Sequence, residues 1–94
     1  MSAKTEYLRA ELNTAKAALN NQTLRLAAVK KIDEGLAILN GRDVIDNAGV
    51  SLPAMDTSIV GAIYDGAKAA IDACNASDVA LKSKATILSE LSAL

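Results

Sequence analysis

Few residues in this chain could do chemistry, and none stands beside a partner that would make it reactive. There is no histidine. That removes Ser–His and Cys–His pairs, imidazole general bases and most transition-metal sites. Cys74 is the single cysteine, so it closes no intrachain disulfide and cannot build a zinc site. It shares the helical spacing of Ile63, Ala67 and Ile71, which suits a small packed hydrophobe rather than an activated thiol. The segment GAIYDGAK sets Gly61 and Gly66 at the spacing of a phosphate loop, but Ala67 stands where that loop needs lysine. The same segment has the periodicity of a helix interior, so no phosphate cradle is expected there. Asp43 and Asp46 lack the alternation of a calcium loop and suit turn capping instead. Arg25, Lys30 and Lys31 are followed directly by Asp33 and Glu34, the pattern of a solvated helix face rather than a phosphate-binding patch. No residue therefore qualifies as catalytic, cofactor-binding or metal-ligating, and the expectation is a protein that is not an enzyme and takes no small-molecule substrate.

What the chain could do instead depends on its composition. Its 94 residues fit a single domain spanning 1–94. At 51% apolar residues it can fold, yet Tyr7 and Tyr64 are its only aromatics and alanine dominates. Alanine is the best helix former and the smallest core side chain, so closely packed helices are expected. A core this small often gains stability from a partner or from self-association. The net charge of −1 argues against a nucleic-acid or membrane-surface binder. The charge is uneven: residues 1–42 hold seven Lys/Arg against four Asp/Glu, or +3, and residues 43–94 hold three against seven, or −4. Such halves can neutralise one another within a chain or between chains. No apolar run approaches the roughly 20 residues of a membrane span. MSAKTEYLRAEL lacks the apolar stretch of a signal peptide, so a non-secreted protein is expected, cytoplasmic or part of a virion.

The elements follow from periodicity. Leu8, Leu12, Ala15, Leu19, Gln22, Leu26, Val29, Asp33 and Leu36 alternate spacings of four and three, a heptad seam with two polar departures. Its phase runs unbroken through Asn20-Asn21, which predicts one long helix over about 5–40. Ser2 or Thr5 would start it and Asn40-Gly41 would stop it. A break at Asn20-Asn21, giving a four-helix bundle, is the alternative. A second helix is predicted over about 56–74, capped by Asp56, with Met55 stapled onto Val60. Its apolar face is Ile59, Ile63, Ala67, Ala70, Ile71 and Cys74, and a second face carries only small residues, Ala62, Gly66, Ala69 and Ala73. A third helix is predicted over about 77–93 after a cap around Asn75 and Asp78. The fold class is thus all-α, an elongated hairpin or three-helix bundle.

The stretch 42–53 carries Val44, Ile45, Val50 and Leu52 around DNAG, and reads as a small β-hairpin or ordered loop. Its apolar residues either plug the end of the bundle or dock on another chain. The small face of the second helix, with Val44, Ile45, Val50, Leu52 and Met55, forms the candidate interface. A homo-oligomer or larger assembly is the expected partner, with no nucleic acid, membrane or cofactor. The function expected is structural: a self-associating helical protein, an accessory subunit of a symmetric assembly such as a phage head or tail. The alternative is a small inhibitor or adaptor acting through a helical surface.

Overall fold

A computed structural model describes residues 3–19, 25–49, 52, 54–74 and 81–94. It is an all-α bundle of four helices, with no strand among the described residues: α1 (Ala3–Leu19), α2 (Leu26–Asn47), α3 (Thr57–Ala73) and α4 (Lys84–Ser92). The bundle measures 42 × 24 × 18 Å. Helix α2 lies at its centre, packed on both α1 and α3, and α4 packs on α3. Side-chain pairs fix antiparallel directions: Lys16 meets Asp33 and Arg9 meets Asp43 between α1 and α2, while Gly35 faces Ile63 and Lys31 faces Gly66 between α2 and α3.

The long helix expected over 5–40 is two helices folded against one another. The buried residues of α1 are Thr5, Leu8, Leu12, Ala15 and Leu19, as the seam requires. In α2 the buried set is Ala28, Ile32, Gly35 and Leu39, one residue out of phase with the seam extrapolated from α1. Leu26, on that seam, is 79% exposed, and Asp33 is exposed. The unbroken phase was therefore a coincidence, and the exposed Asp33 marks where it failed within α2. Folding back buries two leucine-rich stripes on each other, and each large aliphatic side chain so buried is worth about 1.5–3 kcal/mol. That outweighs the few helical hydrogen bonds given up at a break. The asparagines themselves fall in 20–24, outside the described residues.

Helix α2 also overruns its expected stop. It passes through Asn40-Gly41 to Asn47 and ends at Ala48, whose N–H donates back to the carbonyls of Val44 and Ile45. Gly49 follows at φ +83°, the left-handed conformation in which glycine alone is unstrained. Residues 42–47 are therefore helix, not a hairpin strand; DNAG supplies a helix stop instead of a hairpin turn. Thr5 does not cap α1 but lies inside it, and Ser2 lies outside the described residues.

Asp56 caps α3 as expected, its Oδ1 accepting from the N–H groups of Ser58 at 3.0 Å and Ile59 at 3.2 Å. Met55 is half-buried against the core. The buried face of α3 is Val60, Ile63, Tyr64, Ala67 and Ile71, rotated from the expected one so that Ile59, Ala70 and Cys74 sit at its margin. Helix α4 starts later than expected, at Lys84, with the Ser83 hydroxyl accepting from the Thr86 N–H. Leu81, just before it, is buried with Ile87 and Leu91. The expected cap at Asn75 and Asp78 lies outside the described residues.

Candidate interaction surface

The polar side chains inside the bundle serve to join its helices. Tyr64 is the largest fully buried side chain, and its hydroxyl donates to the Leu8 carbonyl at 3.0 Å, tying α3 to α1. Burial, with the charge of Glu11 as a lesser contribution, raises its pKa well above the ordinary tyrosine value. At one end of the bundle the Tyr7 hydroxyl donates to Glu90, Lys82 bridges Glu90 at 2.8 Å and Glu11 at 3.5 Å, and the Lys82 ammonium lies 5.6 Å from the centre of the Tyr7 ring. On the outer flank of α1 and α2, Arg9 bonds Asp43 and Glu6 and reaches Asn40 at 3.3 Å. The bond to Asp43 and the nearby negative charges raise the Arg9 pKa further. These groups are paired within the chain and hold charge in place. Arg9–Asp43 also pairs a cation of the basic first half with an anion of the acidic second half, so a small part of the charge asymmetry is neutralised internally.

Part of what remains uncovered is apolar. A helix on a bundle surface normally shows one apolar stripe and one polar face. Helix α2 shows no such division. Its buried residues face α1 and α3, yet its outer side carries Leu26 at 79% exposure, Val44 at 70%, Ile45 at 43% and Ile38 at 38%, with exposed Ala37, Gly41 and Ala48 between them. Toward its N-terminus the same side holds a shallow depression of about 510 Å³ lined by Leu26, Val29, Lys30, Asp33, Glu34 and Ala37. The small residues of α3, Ala62, Gly66, Ala69 and Ala73, are all exposed. They adjoin the α2 surface, because the Lys31 stem lies over Gly66, 3.4 Å from where a β-carbon would stand. Helices α1 and α4 do not cover them.

Of the interface residues read from the sequence, Val44 and Ile45 thus lie open on α2, and the four small residues lie open on α3 beside it. Leu52 and Met55 are half-buried, with Met55 packed into the core, and Val50 lies outside the described residues. Ile38, Gly41 and Leu26 were missed. Their signal was present, since a helix whose apolar residues exceed one stripe has a second face to cover, but the mistaken phase assigned Leu26 to the core and the mistaken stop cut α2 short at Gly41. No helix among the described residues is long and apolar enough to cross a membrane. No family model, no curated protein and no solved structure matches the chain.

Proposed function

We propose that this protein is a non-enzymatic structural subunit that associates with itself through the outer surfaces of α2 and α3. One role of this kind is an accessory component of a symmetric assembly such as a phage head or tail. The observation that carries the proposal is the second apolar face of α2, with Leu26, Ile38, Val44 and Ile45 all exposed in a chain that has few large side chains to spare. Large apolar side chains gathered on a solvent-facing helix surface mark contact surfaces with other proteins. The adjoining small residues of α3 widen the same surface and let a backbone approach closely.

Light scattering on the purified protein across a wide concentration range, with imaging of any large species, tests this directly. A stoichiometric oligomer is the expected result. A chain that stays monomeric at every concentration, and instead binds a larger protein, would replace the proposal with an inhibitor or adaptor using the same surface.

A further inference from the structure

We draw no further inference here: the strongest candidate, the exposed apolar surface of α2 around Leu26, Ile38, Val44 and Ile45, is an unpartnered helix face, and nothing in the structure shows what covers it.

Discussion

Two glycines in one helix show how much a single β-carbon can decide. Gly35→Ala would place a methyl against Ile63 and Leu12, and the 3.3 Å approach to the Ile63 carbonyl involves backbone that cannot rotate away. Overpacking of this kind costs typically about 1–3 kcal/mol, more than the helix propensity it gains. Gly41→Ala meets nothing and should stabilise the monomer by about 0.5–1 kcal/mol. Thermal melts at low concentration should therefore move in opposite directions for the two variants. Tyr64 gives a second prediction. Its folded-state pKa lies above the unfolded value of about 10, so the native state holds the proton longer. The resulting stability is complete below pH 10 and falls as pH rises through and beyond it. Tyr64→Phe should lose about 1 kcal/mol at neutral pH with the hydrogen bond to Leu8, yet flatten the alkaline decline, as urea midpoints between about pH 8 and 11 would show. Cys74→Ala should leave helix content and association unchanged, because Cys74 is half-buried at the margin of the core, where a small side chain fills the space. The single cysteine and the lack of histidine are legible in the sequence alone, since they concern which groups exist. The core role of Tyr64 was not legible, because the apolar stripe read for α3 was rotated away from it.

At the scale of elements, capping was easier to read than phase. Asp56 was identifiable because a carboxylate before an apolar-periodic run satisfies orphan N–H groups locally, wherever the helix packs. Asp56→Ala should cost about 1 kcal/mol, lowering the melting temperature by roughly 4–8 °C in a domain of this size. Helix phase depends on which neighbour the element meets, and that is a tertiary matter. The seam through Asn20-Asn21 kept its arithmetic across a turn, while the actual core moved to Ala28, Ile32, Gly35 and Leu39. Asn-Gly at 40–41 and DNAG at 46–49 both look like punctuation, and only the second is used. Helix α2 continues through the first, where Asn40 is held by Arg9 and the flanking Leu39 is fully buried in the core. The exposed small residues of α3 were legible as a face without a neighbour, since their 4-and-3 spacing follows from the helix alone.

For the whole molecule, cohesion is uneven. The core draws on α1, α2 and α3, whereas the nine residues of α4 contribute Ile87 and Leu91 and hold on through Lys84–Asp65 and the Tyr7–Glu90–Lys82 cluster. Few buried contacts and partly exposed polar ties define a region that opens below the global unfolding free energy. Native-state hydrogen exchange should show the amides of α4 exchanging well before those of α2. Glu90→Gln should widen that difference, with little change in the urea midpoint of the remaining bundle. Uniform protection across all four helices would show instead that α4 unfolds only with the rest. An all-helical bundle was legible from alanine content and periodicity. The number of helices was not, because it turned on one reversal that neither glycine nor proline announces.

The passage of α2 straight through Asn40-Gly41 has a chemical consequence over long times. An Asn-Gly pair in a free chain ages readily: the glycine N–H swings onto the asparagine side-chain carbonyl, closes a succinimide ring and releases ammonia. Inside a helix that nitrogen is committed to the ladder, and here the side-chain oxygen is also engaged by Arg9 at 3.3 Å. Deamidation at Asn40 therefore waits for local opening of the helix, and its slow accumulation in stored protein measures how often this stretch of α2 comes undone.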